Sequence, residues 1–235
     1  VDRPFRFLTA PFPTVLLWFT SVDLVFILVH GVGFLLHRAG LTGDVPHLLR
    51  ISDDWALPES FNYLKWLIII LALTRVALRD RWWTPCAWAL VFLLILADDS
   101  LQVHETFGRL IAESANLQAG FMVEASDLGE LVVFGLMGLS VLLLTGASFT
   151  SAGARSRGLS IFYGLIIVGL GFFGVGIDFI HQAVVYDGTA HPALDFWKHV
   201  FAMIEDGGEM LVASLAAAFT LAPLPLLQQR RSALA

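Results

Sequence analysis

The chain has 235 residues, 57% of them hydrophobic and only 14% charged, with a mean hydropathy of +0.76. A soluble domain is about half apolar and about a quarter charged, so this composition excludes an ordinary soluble domain and indicates an integral membrane protein. A net charge of −6 with no basic stripe argues against nucleic acid as a partner, and a lone cysteine, Cys86, excludes an internal disulfide.

Hydropathy predicts an all-α chain of six transmembrane helices, each apolar run approaching or exceeding the ~20 residues that cross a bilayer. Pro4, Pro11 and Pro13 break the N-terminal stretch, so it does not read as a signal peptide and the first span is expected to be retained. Span one covers about residues 14–37 and carries Asp23 and, on the same helical face, His30. Span two covers about 61–78, with Lys65 expected to snorkel to the interface and Arg75, Arg79 and Arg81 at its far end. Span three runs from about Pro85 to Phe107 and ends in the polar segment from Asp98 to Glu105. Span four covers about 127–145, span five about 159–185 and span six about 196–221. The whole of 1–235 is read as one transmembrane domain: helices one and two in 1–80, a first repeat in 81–147 and a second in 158–223.

The repeat rests on polar residues. Adding 79 to the number of Asp99, Gln102, Asp127 and Glu130 lands on Asp178, His181, Asp206 and Glu209. Both halves therefore read D-x-x-(Q/H) followed by D-x-x-E, and spans three to six are expected to form an internally duplicated four-helix bundle. Lys and Arg placement gives the orientation. With the N-terminus inside, Arg3, Arg6, Arg75, Arg79, Arg81, Arg155, Arg157, Arg230 and Arg231 lie inside, against Arg38, Arg50, Lys65, Arg109 and Lys198 outside. Both termini are then cytoplasmic, in the cytoplasmic membrane of a bacterium, and the polar ends of spans three to six gather near the outer face.

Ionisable groups inside a membrane are costly unless they pair, bind an ion or line a cavity. Close carboxylates cannot all ionise without a cation among them. Asp99, Glu130, Asp178, His181, Asp206 and Glu209 are therefore the candidate metal ligands, with Asp98, Gln102, His104, Glu105, Asp127 and Glu205 around them. The i,i+3 spacing of carboxylate and imidazole follows the logic of carboxylate-bridged metal bundles. The oxygen-rich set suits a divalent Fe, Mn, Ca or Mg better than Zn. A zinc site would require His30, His181 and either His104 or His199 to converge. His104 falls about 120° from Asp98 on a regular helix, so it either serves a group at the helix end or the helix is irregular there. Asp127 is as well placed to cap a helix as to bind an ion, whereas Asp206 lies well inside its span.

Three functions fit. The leading one is a metal-dependent membrane protein, redox or hydrolytic if it is an enzyme, acting on a lipid-like substrate. The second is an accessory subunit of a larger membrane assembly, in contact with lipids or with a pigment ligated by His30, His104 or His199. The third is a proton or cation transporter with Asp23 and His30 on the path.

Overall fold

The structure, a computed structural model, describes residues 11–118, 124–150, 153–185 and 192–222. All the regular structure within them is helical: α1 (Phe12–Arg38), a 3₁₀ turn (His47–Leu49), α2 (Leu57–Asp80), α3 (Trp83–Leu101), α4 (Val103–Ser114), α5 (Ala125–Thr150), α6 (Ala154–Gly171), a π-helical segment (Phe172–Ile177), α7 (Asp178–Val185) and α8 (Pro192–Leu221). Proline in the first turn opens α1 and α2, where its missing N–H costs nothing. Arg81, in the left-handed conformation at φ 47°, closes α2. Among the described residues, five stretches are long and apolar enough to cross a membrane: Phe12–Arg38, Leu57–Asp80, Trp83–Leu101, Ala125–Gly146 and Ala154–His181. They mark the chain as a membrane protein. The last of these runs without a break through α6, the π segment and into α7. Helix α8, though 30 residues long, carries Lys198, Glu205, Asp206 and Glu209 and is not of that apolar kind.

The packing departs from the expected bundle. Helices α1 and α2 are not peripheral: both pack against α8, which also touches α6, α7 and the π segment. Small residues on α8 permit this, since Ala213, Ala216 and Ala217 are fully buried and let backbones approach. Around them lie Trp66, Ile69, Leu73, Trp88, Phe92, Leu159, Tyr163 and Phe219. Polar side chains inside this core find one another across helices. The Trp88 indole N–H donates to Ser160 Oγ at 3.1 Å, and Tyr163 Oη lies 2.8 Å from Thr220 Oγ1. On the outside Leu17, Leu78, Leu142, Leu143, Leu165 and Val168 are 65% to 76% exposed, a surface that suits hydrocarbon rather than water.

Lys65 does not snorkel. Its ammonium and the Asp23 carboxylate are both 0% exposed and lie 2.8 Å apart. The ammonium also donates to the Met210 carbonyl at 2.9 Å and to Ser214 Oγ at 3.2 Å, and Ser214 Oγ–H donates to Asp23 Oδ2. One ion pair thereby ties α1, α2 and α8 together. The side-chain stem of Lys65 rises inside the bundle because its amine has a better partner there than at the interface.

Span three also ends earlier than expected. Gln102 adopts φ 51°, which stops α3 at Leu101 and starts α4 as a separate amphipathic helix. Helix α4 lies against α5 at unusually short range: a Cβ on Gly129 would overlap the Gly108 carbonyl, and one on Gly108 would overlap Glu130.

Lys65→Met is expected to destabilise the protein by about 3–5 kcal/mol by leaving the Asp23 charge buried alone. The double variant Asp23→Leu with Lys65→Met is expected to recover most of that loss. Thermal unfolding in detergent measures both, and equal destabilisation of the single and double variants would contradict the pairing.

Candidate metal centre and acidic cavity

At the end of the bundle where α1 closes and α2 begins, a cavity of about 480 Å³ opens between α2, α3, α5, α6 and α8. Its wall has two parts. One is carboxylate: Asp53, Asp54, Glu59, Asp98, Asp99, Glu105, Glu205, Asp206 and Glu209. The other is apolar, formed by Ile95, Phe134, Met137, Val141, Ile167, Leu170 and Met210. His104 is the sole lining residue able to carry positive charge.

Local backbone irregularities aim these groups. The left-handed turn at Gln102 swings the chain back, so that the His104 backbone N–H donates to Asp98 Oδ1 at 2.9 Å and His104 Nδ1 lies 3.0 Å from Asp98 Oδ2. This resolves the angular misfit of His104 on a continuous helix: the helix breaks, and His104 serves its end. The Gln102 amide itself donates to Asp54 Oδ2. Asp99 accepts the Trp66 indole N–H at 3.0 Å, and its backbone carbonyl accepts the Tyr63 hydroxyl at 3.1 Å. Glu209 lies against Gly174, where a Cβ would collide with its Oε1, so α8 reaches the π segment only because that residue has no side chain.

The π segment Phe172–Ile177 leads directly into Asp178. Such wide turns occur often at functional sites because they shift the phase of a helix. Here the shift brings Asp178 and His181 to Glu205 on α8, and one ligand atom from each lies within 4.8 Å of the others. His181 Nδ1 is 3.2 Å from Glu205 Oε2, and Phe201 stacks on the imidazole with 5.9 Å between centroids and an interplanar angle of 14°. Opposed oxygen ligands of a calcium-type ion at 2.3–2.6 Å stand up to about 5 Å apart, a spacing comparable to that of the trio. A smaller first-row ion would draw the three inward.

The six expected ligands do not form one shell. Asp178 and His181 meet Glu205, expected only as an outer group. Asp99, Asp206 and Glu209 line the cavity together with Asp98, Gln102, His104 and Glu105. Glu130 faces a separate small crevice with Asp127 and Asp178. Asp127 reaches back from the first turn of α5 to accept the Glu124 backbone N–H at 2.9 Å, as the acidic partner of a capping box does. Asp206, by contrast, lies within α8 on the cavity wall, so two residues 79 apart in the sequence occupy different environments. Gln182, on the face of Asp178, and Arg3, Arg6, Arg230 and Arg231, used for orientation, lie outside the described side chains.

Asp23 is engaged by Lys65 and Ser214. His30 is fully buried, accepts the Ile51 backbone N–H at Nδ1 at 3.2 Å and lies 5.8 Å from His199 between ring centroids. Among the described residues no three histidines converge, which removes the zinc arrangement.

Sequence reasoning missed the contribution of Glu59 and of the segment before α2. Asp53 and Asp54 were visible as an acidic pair, and the loop joining spans one and two had to emerge on the same face as the polar ends of spans three to six. That topology was the available signal.

Burial works against the charged form of His104, but its hydrogen bond to Asp98 and the nearby charges of Asp98, Glu130 and Glu105 outweigh it and raise its pKa above 6.5. A raised pKa means that the His104–Asp98 pair contributes fully below pH 6.5 and is lost as pH climbs through the raised value. Histidine NMR in detergent is expected to show His104 titrating above its ordinary range, and Asp98→Asn is expected to lower that value. An unchanged value in the variant would remove Asp98 as the cause.

Residues 55–222 match a family described as a domain of unknown function (DUF8692). No curated protein and no solved structure matches the chain. The match begins just before α2 and ends after α8, so it contains the Asp178–His181–Glu205 trio and most of the cavity wall but neither α1 nor Asp53 and Asp54. Covering well over half of the sequence, the match makes this chain a member of the DUF8692 family.

Proposed function

We propose that this chain is a membrane metalloprotein that holds one divalent cation between Asp178, His181 and Glu205, beside a cavity that receives a lipid-like molecule. The observation that carries the proposal is the convergence of those three ligand atoms within 4.8 Å, from two helices, next to a wall of further carboxylates. A hard, oxygen-preferring ion of the Mn, Fe, Ca or Mg type fits the donor set. An ion there would supply Lewis acidity toward a bound oxygen or water, the ingredient that hydrolytic or redox work on a lipid-like substrate requires. The apolar part of the cavity would hold the hydrocarbon.

Ion passage has less support. Asp23 already has partners in the apolar core, and the inner wall of the cavity is Ile95, Val141, Ile167 and Leu170. A pigment-bearing accessory role would have to use His30 or His199, since His104 is bound to Asp98.

We further propose that α8 is the sixth span and that the cavity lies near the outer face of a bacterial cytoplasmic membrane. Arg75 and Arg79 lie in the last turns of α2 and Arg81 closes it, while Arg155 and Arg157 open α6. About 16 residues of helix separate Arg155 from Gly171 on the cavity wall, roughly 24 Å, so this basic belt sits at the opposite end of the bundle. With Lys65 withdrawn into an ion pair and Arg50 bound to Asp44 and Asp53, the charge asymmetry is sharper than the sequence count.

Elemental analysis of the purified full chain is expected to find one divalent metal per chain, reduced to a few per cent by Asp178→Ala or His181→Ala. Metal retained in both variants, or absent from the parent after supplementation with Mn, Fe, Ca and Mg, would overturn the proposal.

A further inference from the structure

The trio accounts for only one of the nine carboxylates on the cavity wall, Glu205. Of the others, Asp53 pairs with Arg50 and His47 outside the lining and Asp98 with His104; the rest have no cationic side chain among the described lining residues. They do not form a second metal site either: among the described residues, no other three His, Cys, Asp or Glu ligands converge within 4.8 Å. Their charge is spread over a chamber of about 480 Å³, within the size range of small-molecule sites. A spread of acceptors suits a cation larger than a bare metal ion.

Asn62 adds a second observation. Its Oδ1 is buried, belongs to a residue on the cavity wall and has no hydrogen-bond partner among the described residues. A buried acceptor without a donor is costly, and an N–H entering the chamber would satisfy it. A third observation concerns the route. Gly138 on α5 and Gly171 on α6 both line the cavity, both are exposed, and neither has an atom within 4 Å of the place a Cβ would occupy. The wall is therefore open at these two positions, one on each of two neighbouring helices.

We infer that the cavity binds an amine-headed amphiphile from the bilayer, its ammonium group among Asp99, Asp206, Glu209 and Asn62 and its hydrocarbon chain along Ile95, Val141, Ile167 and Leu170 toward the open wall at Gly138 and Gly171. The charge of the wall selects a cation, the orphaned acceptor selects one with N–H donors, and the apolar half selects a chain over a bare ion. The inference stands on the chamber and not on the metal trio.

Native mass spectrometry of the full chain in a nonionic detergent tests it, with dodecylamine, dodecan-1-ol and butylamine as probes. Dodecylamine is expected to be retained at one per chain, and the alcohol and the short amine about tenfold or more weaker. Asp206→Asn with Glu209→Gln is expected to weaken dodecylamine about tenfold or more and leave the alcohol unchanged. Gly138→Leu, which places a side chain over the open part of the cavity wall, is expected to weaken dodecylamine, whereas Gly135→Leu, outside the cavity lining, is not. Metal content is read in the same samples, so loss of amine and loss of metal are scored separately. Equal retention of amine and alcohol, or an amine affinity unmoved by the Asp206 and Glu209 substitutions in variants that elute and unfold like the parent, would overturn the inference.

Discussion

The buried pair of Asp23 and Lys65 fixes the arrangement on which everything else rests. A charge in a membrane core persists only if its partner is held at hydrogen-bond range. This pair is held from three helices, with Ser214 and the Met210 carbonyl completing the ammonium's shell. Met210 is next to Glu209 and about one turn from Asp206 on α8, and Ser214 lies about one turn beyond Met210. Setting the height of α8 against α1 and α2 therefore sets the height of its carboxylates against Asp99 and Glu59. The pair is positional: it aligns two layers of side chains that never touch it.

Above that lock, the helices depart from regularity where function is concentrated. The left-handed residue at Gln102 returns His104 to Asp98, and the π segment turns Asp178 and His181 toward Glu205. Gly174 and Gly208 leave room for α8 beside that segment. Uniform apolar helices would pack as well in a membrane, but they would scatter these groups around the bundle. The irregular backbone converts a list of costly polar residues into a chamber with an acidic end and an oily end.

The sequence was most legible where the membrane imposes its own rule. Length and apolarity marked five of the six expected spans, and the expense of intramembrane acids pointed to Asp99, Asp178, Asp206 and Glu209, each of which faces a cavity or sits near another carboxylate and a histidine. It was least legible where a partner decides the outcome. Lys65 near a span end looks like a snorkelling residue until Asp23, 42 residues away, is seen beside it. The arithmetic of 100° per residue fails after Gln102 and across Phe172–Ile177, because a helix-phase argument assumes a helix that continues. Residues that share an offset of 79 in the sequence do not share surroundings: Asp127 lies in the first turn of its helix, whereas Asp206 lies deep within one.

The π segment has a consequence for how this chain tolerates change. A bilayer selects for span length and oiliness, and neither is much altered by one residue more or less. The wide turn before Asp178 holds one residue more than a regular helix would. That surplus residue sets the rotational phase of the acid and imidazole against α8, by roughly 100°. Insertion and folding are thus blind to a feature that the ligand cluster cannot do without, and a length change there separates being a membrane protein from being this one.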